Sequence, residues 1–245
     1  MVTLSTGEFD SEKHLLNCQN GVVDLRTGDI RAHRTTDRFT YCVQTDYKPA
    51  AKSKLWGDLL QDWFGDDQEI VSYAQRAMGY TITGENREEC LFYAYGPGRA
   101  GKGTFVNTIA EMLGSPLAQG VQFSVFTGDM GDTQNFRLAP LRSARMATAS
   151  ESRKGDRLNE AIIKNSTGRD AVQAAYKHKD SFSFTPQFKL WMMSNEPPRG
   201  DADDDALWNR VRLFAFTKSH LGSEDVTIKD RLSQQRNREG ILARL

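Results

Sequence analysis

The stretch Gly-Pro-Gly-Arg-Ala-Gly-Lys-Gly-Thr, Gly96 to Thr104, carries the most specific chemistry in the chain. Gly96, Gly101 and Lys102 fit the spacing G-x-x-x-x-G-K. Glycines at this spacing let a backbone wrap an anion with its N–H groups turned inward, and the lysine ammonium reaches the terminal phosphates. Gly96, Pro97, Gly98, Arg99, Ala100, Gly101, Lys102, Gly103 and Thr104 are therefore the expected nucleotide-binding loop. Gly103 stands where the pattern has Ser or Thr, which leaves the hydroxyl of Thr104 as the nearest candidate for Mg²⁺. Nucleotide hydrolysis also needs a carboxylate that orients water or holds the metal, and Glu151, after the β-compatible run Ala144 to Ala149, is placed to supply it. Asn195 follows the apolar run Phe188 to Met193, at the strand end where open α/β sheets bind ligands. An amide there can bond the attacking water or the terminal phosphate. Lys177-His178-Lys179 is a compact basic cluster flanked by aromatics, the best local candidate for contact with a phosphate backbone. On residue type alone it reads as a solvated turn.

The surrounding sequence supplies elements to position these groups. Cys90 to Tyr95 reads as a buried strand ahead of the loop. Phe105, Val106, Ile109, Met112 and Leu113 recur at helical spacing behind it, so a helix N-terminus adds partial positive charge at the loop. Further on, Phe123, Val125 and Phe126 suggest a short strand, and Leu158 to Ile163 a helix ending near Thr167-Gly168. Ala171 to Tyr176 and Phe182 to Phe184 suggest a hairpin around the basic tip. Trp208 to Phe216 reads as a short helix passing into a strand, and Ile228, Leu232 and Gln235 to Arg238 as one amphipathic helix. Upstream, the turns Asn20-Gly21 and Thr27-Gly28-Asp29 break short apolar runs into a β meander. Two helices follow: Leu55 to Phe64, stopped by Gly65, and one carrying Ile70 to Met78, with Gly79 and Gly84 marking its end. The expected organisation is a small accessory domain over 1–84, an α/β nucleotide-binding domain over 85–220, and a C-terminal helix over 221–245.

Bulk properties narrow the classes. The 245 residues are 38% hydrophobic and carry a formal net charge of zero, so any nucleic-acid contact must be local. Three cysteines without C-x-x-C spacing argue against a disulfide framework or a zinc ribbon, and suit a reducing cytoplasm. No apolar run approaches membrane-spanning length, and no signal-like segment opens the chain.

Taken in order, the glycine loop, the acid after a strand, Lys164-x-x-Thr167-Gly168-x-Asp170, the hairpin, the strand-end Asn and the later Arg210 resemble the superfamily 3 helicases. The resemblance is specifically to the phage and plasmid primase-helicase family related to the poxvirus primase-helicase, and it covers nearly the whole chain. The upstream stretches Asn20-Gly-Val-Val-Asp-Leu-x-Thr-Gly-Asp29 and Gly79-Tyr80-x-x-Thr83-Gly84 are similar to that family too. The resemblance implies an α/β P-loop core of AAA+ type with a small N-terminal accessory domain of strands and helices, using ATP and Mg²⁺. It implies that Lys102 serves the β/γ-phosphates, Glu151 is the Walker B acid, and Thr104 and Glu151 face the metal. Lys164, Thr167, Gly168 and Asp170 match the family's additional motif. Lys177, His178 and Lys179 fall at the tip of a DNA-tracking hairpin, and Asn195 matches the sensor asparagine. Arg210 matches an arginine finger acting on a neighbouring subunit, with Arg212 as its rival two residues away. A finger in trans implies a ring, normally a hexamer, acting on single-stranded DNA in the cytoplasm of a bacterial host and linked to a primase module. The family pattern continues past Gly240-Ile-Leu-x-x-Leu245, so the chain reads as a fragment. Two rivals remain open. The string G-P-G-x-x-G-K-G-T also resembles nucleoside monophosphate kinases, although about 95 residues precede it here and no Arg-rich lid follows. A DNA-binding module that holds nucleotide without turning it over is the other.

Overall fold

The computed structural model describes residues 9–65, 67–128, 133–150 and 155–245. A three-stranded antiparallel meander comes first: β1 (Leu15–Cys18), β2 (Gly21–Asp24) and β3 (Asp29–Arg31), in that order across the sheet. Helix α1 (Lys54–Phe64) starts at Ser53, whose side chain accepts from the amide of Trp56, and α2 (Gln68–Ile82) starts at Asp67, which accepts from Glu69 and Ile70. Side-chain oxygens at these positions satisfy amides that have no partner inside the helix. Gly79 does not end α2. It lies inside the helix, where a Cβ would sit 2.3 Å from the carbonyl oxygen of Leu245, so the glycine marks a close approach of the chain's end.

The second sheet is parallel and carries the rest. β4 (Leu91–Tyr95), α3 (Lys102–Leu113), β5 (Ala118–Gln122), α4 (Thr133–Leu138), β6 (Met146–Ser150) and α5 (Glu160–Thr167) follow in sequence. A separate hairpin, β7 (Val172–Ala175) with β8 (Ser181–Phe184), precedes β9 (Lys189–Ser194), α6 (Asp205–Trp208) and β10 (Val211–Ala215). Five strands pair in the order β10-β4-β9-β6-β5, all parallel. β4 and β9 are apolar and almost wholly buried, as strands covered on both faces must be. β5 is the exposed edge, with the polar sequence Ala-Gln-Gly-Val-Gln. The strand expected at Phe123 to Phe126 is therefore displaced: Phe123–Val125 is a 3₁₀ turn, and Phe123, Val125 and Phe126 are buried beneath it. The chain closes with two helices rather than one, α7 (Ile228–Ser233) and α8 (Gln235–Leu242), because Gln234 between them is extended (φ −61°, ψ 138°).

One apolar cluster joins the meander and α1–α2 to one face of the parallel sheet. Trp56 of α1 stacks on Phe105 of α3 with ring centroids 5.9 Å apart, and Trp63 meets the same ring edge-on at 5.7 Å. A second cluster covers the other face, under α5 and the hairpin. At the sheet's N-terminal edge two buried cations tie the layers together. Lys189 Nζ donates to the carbonyls of Thr83, Glu85 and Gln187, and Arg145 donates to those of Ile82, Glu12 and Leu15. No helix among the described residues is long and apolar enough to cross a membrane.

Candidate nucleotide-binding site

Register brings the predicted residues to one edge. Tyr95 lies opposite Ser194 on one side and Ala215 on the other, and Ser150 lies opposite Gln122, so the C-terminal ends of the strands come level. Gly96 and Asn195 therefore leave the sheet side by side, at the point where the chain's strand order reverses around β4. The contact is direct: Lys102 Nζ donates to Asn195 Oδ1 at 3.1 Å and to the carbonyls of Gly96 and Pro97 at 2.7 Å each. Burial pushes the Lys102 ammonium below the usual lysine range.

Two glycines are required by the loop's path. Gly96 (φ 143°) would place a Cβ 1.9 Å from the carbonyl oxygen of Phe216, and Gly101 (φ 94°) would place one 2.1 Å from Trp63 Nε1. Gly101 then caps α3, which begins at Lys102. Among the described residues, none of the amides from Gly98 to Thr104 donates to a protein acceptor; the next amide along, that of Phe105, donates to the Gly101 carbonyl. A curl of open N–H groups at a helix N-terminus, with an ammonium beside it, can hold an anion.

Two cavities flank the loop. One of about 330 Å³ is lined by Lys102, Gly103, Asn107, Ser150, Ser194 and Asn195. The other, about 420 Å³, lies between the loop, α1 and the segment after β10, with Trp63, Asp62, Arg99, Thr104 and His220 in its wall. That segment is pinned across the loop: Ser219 Oγ donates to the Gly98 carbonyl at 2.9 Å, the His220 amide donates to the Arg99 carbonyl at 3.1 Å, and the His220 ring meets Asp62 at 2.9 Å. Lys218 pairs with the same carboxylate.

The remaining predicted residues fall in several places. Glu151 lies outside the described residues, one position past Ser150. Thr104 faces the Trp63 cavity and does not line the one that holds Lys102 and Asn195. Gly103 does, in open space: its nearest neighbour to a Cβ would be Asn107 Nδ2, at 3.8 Å. Arg210 sits at the opposite edge of the sheet. Its carbonyl accepts from the Leu91 amide at the start of β4, and its guanidinium bonds Glu89 at 3.3 Å and the Ala206 carbonyl at 2.9 Å. Arg212 donates to the Asn209 carbonyl at 2.7 Å. Lys164 pairs with Glu160 and with Asp204, at 3.4 Å for the latter, while the buried Thr167 hydroxyl bonds back to Ile163. These two residues of the motif close α5; Asp170 follows in the loop before the hairpin. Lys177, His178 and Lys179 form the exposed tip of that hairpin. The local sequence pattern did not mark Asn107 or Trp63 as lining the site. Asn107 was within reach of it, since a residue one turn after Gly103 shares its helix face.

A glycine loop between a buried strand and a helix, on an all-parallel sheet covered on both faces, defines a P-loop α/β core of AAA+ type. The D5 N terminal like family model matches residues 1–65, and a family of unknown function, DUF5906, matches residues 94–210. "Putative helicase L207/L206" of Acanthamoeba polyphaga mimivirus is 25% identical over 228 residues, covering 90% of this chain and 23% of that protein. "Putative helicase 184R" of Invertebrate iridescent virus 6 is 27% identical over 241 residues, covering 91% of this chain and 24% of that protein. The chain thus spans about a quarter of the length of these curated relatives. In fold it is similar to the apo structure of the NrS-1 C terminal region, with a TM-score of 0.63 at 12% identity over 96% of this chain and 52% of that one. These similarities, to a D5 N terminal like domain and to putative helicases of large DNA viruses, agree with the resemblance of the sequence to the superfamily 3 helicases and primase-helicases.

Proposed function

We propose that the chain is the ATP-hydrolysing part of a helicase. The observation that carries this reading is the open amide curl from Gly98 to Thr104 with Lys102 held beside Asn195. The loop amides and Lys102 bind the phosphates, and the 420 Å³ cavity beside Trp63 takes the base. ATP bound there would supply the phosphoryl group that is hydrolysed. Asn195 orients the water or the terminal phosphate from the far side of Lys102. For Mg²⁺, Asn107 and Ser150 face the space that Gly103 leaves empty, and Glu151 is the expected acid. Thr104 does not line that cavity, so a metal there would be held without a loop hydroxyl. Arg210, at the opposite edge of the sheet from its own loop, would act on the phosphates of a neighbouring copy in a ring, where its planar fork, here bonded to Glu89 and the Ala206 carbonyl, suits phosphate oxygens. The basic tip Lys177-His178-Lys179 follows the DNA strand.

The test is phosphate release from ATP with and without single-stranded DNA. Hydrolysis stimulated by DNA, lost in Lys102→Ala and depressed in Arg210→Ala, supports the reading. Transfer to AMP without DNA dependence would overturn it in favour of a nucleotide kinase, and binding without turnover in favour of a holding module.

A further inference from the structure

The hairpin carries an aromatic column that the proposed function does not use. Along β7 and β8, Val172, Ala174 and Tyr176 share a face with Phe182 and Phe184. Phe184 is buried, while Tyr176 at the other end keeps 44% of its surface exposed. The Tyr176 and Phe182 rings stack at 5.5 Å and 27°, and the Phe182 and Phe184 rings lie 6.1 Å apart. The Arg142 guanidinium sits 5.2 Å from the Phe182 ring centre. Beside this column opens a cavity of about 650 Å³, walled opposite by the N-terminal meander region. There a second guanidinium–ring pair, Arg145 with Tyr41 at 5.6 Å, lines the wall. The carboxylate lining the cavity, Asp10, is taken by the amide and hydroxyl of Thr40. Arg142, Lys177 and Lys179 have no carboxylate partner among the described residues.

We infer that Tyr176, stacked on Phe182 and flanked by Arg142, is a base-stacking platform for single-stranded nucleic acid. The inference rests on the reading of the basic tip as a DNA contact. A half-exposed ring backed by a second ring offers a rigid face to an unstacked base, and Arg142, Lys177 and Lys179, without carboxylate partners among the described residues, attract the phosphates that flank it. The platform and the tip thus divide the work: the platform takes bases, the tip takes charge. The plain alternative is that Tyr176 only fastens the hairpin, since its hydroxyl donates to the Ala139 carbonyl at 3.3 Å.

The two are separated by fluorescence anisotropy of the full chain with an oligo-dT strand and with an abasic strand of equal length, over a salt series. Tyr176→Ala is expected to weaken oligo-dT binding roughly ten-fold with an unchanged salt slope, and to leave abasic binding at the wild-type level. Tyr176→Phe, which keeps the ring and loses the hydroxyl, is expected to bind as wild type. Tyr176→Leu, which keeps apolar packing on Phe182, is expected to behave as Tyr176→Ala. Lys177→Ala with Lys179→Ala is expected to weaken both strands and flatten the slope. Wild-type affinity in Tyr176→Ala, equal losses on both strands, or a loss in Tyr176→Phe would overturn the platform while leaving the tip as a DNA contact. Failure of the wild-type chain to bind either strand would overturn the tip reading and the platform with it.

Discussion

Lys102 and Lys189 stand at opposite ends of the same sheet, and each ammonium is surrounded by three oxygens. Lys189 is fully buried and donates to three backbone carbonyls, with its amine 5.1 Å from the Tyr80 ring centre. Burial pushes it well below the usual lysine range, and the neighbouring Arg145 adds to that. Lys102 is half-exposed and donates to two loop carbonyls and one side-chain amide. The difference lies in what can replace those oxygens. Around Lys189 nothing else can reach, so the bonds fix the end of α2 and the segment after it to the sheet. Around Lys102 a cavity opens, and a phosphate is a stronger acceptor for an ammonium than a carbonyl. The same hydrogen-bond count makes a structural tie at one end and, on the proposed reading, an exchangeable one at the other.

Substitutions at the two lysines should therefore fail in opposite ways. Lys102→Ala is expected to lower ATP turnover by a hundred-fold or more, and to change unfolding free energy by less than about 1 kcal/mol, since its partners remain open to water. A large drop in denaturation midpoint would erase the contrast. Lys189→Met should leave three part-buried carbonyls without their donor and cost about 3 kcal/mol of stability, read by urea unfolding. A neutral result there would mean that the buried cation ties nothing. Asn195→Ala removes the third partner of Lys102 and is expected to cut turnover about ten-fold or more with little change in ATP affinity. The smallest effect is expected at Asn107. Asn107→Ala should raise the Mg²⁺ concentration needed for tight ATP binding by a few fold, roughly the worth of one hydrogen bond. Gly103→Thr in the same chain should restore it, because a side chain at 103 enters open space.

The sequence made the Lys102 end visible and hid the Lys189 end. A glycine loop between an apolar strand and a periodic helix is a local pattern, so β4, the loop and α3 could be read directly. Asn195 could be read because its strand is buried on both faces and ends sharply. Lys189 sits in an apolar run and looks like a solvated interruption; only the fold shows carbonyls from Thr83 and Glu85 converging on it. β5 was displaced because an edge strand is half wet and carries polar residues, while the apolar signal beside it belongs to a buried turn. The break at Gln234 leaves no Gly or Pro to mark it. The apolar cluster crosses residue 84 without interruption, through Trp56 and Trp63 onto Phe105, a long-range fact that no local pattern announces.

The central claim is that phosphates displace carbonyls at Lys102. Calorimetric titration of ATP with Mg²⁺ into the full chain, beside folded Lys102→Ala, tests it most directly. The account predicts saturable one-site binding to the wild type and its loss in the variant; equal affinity in both would contradict it.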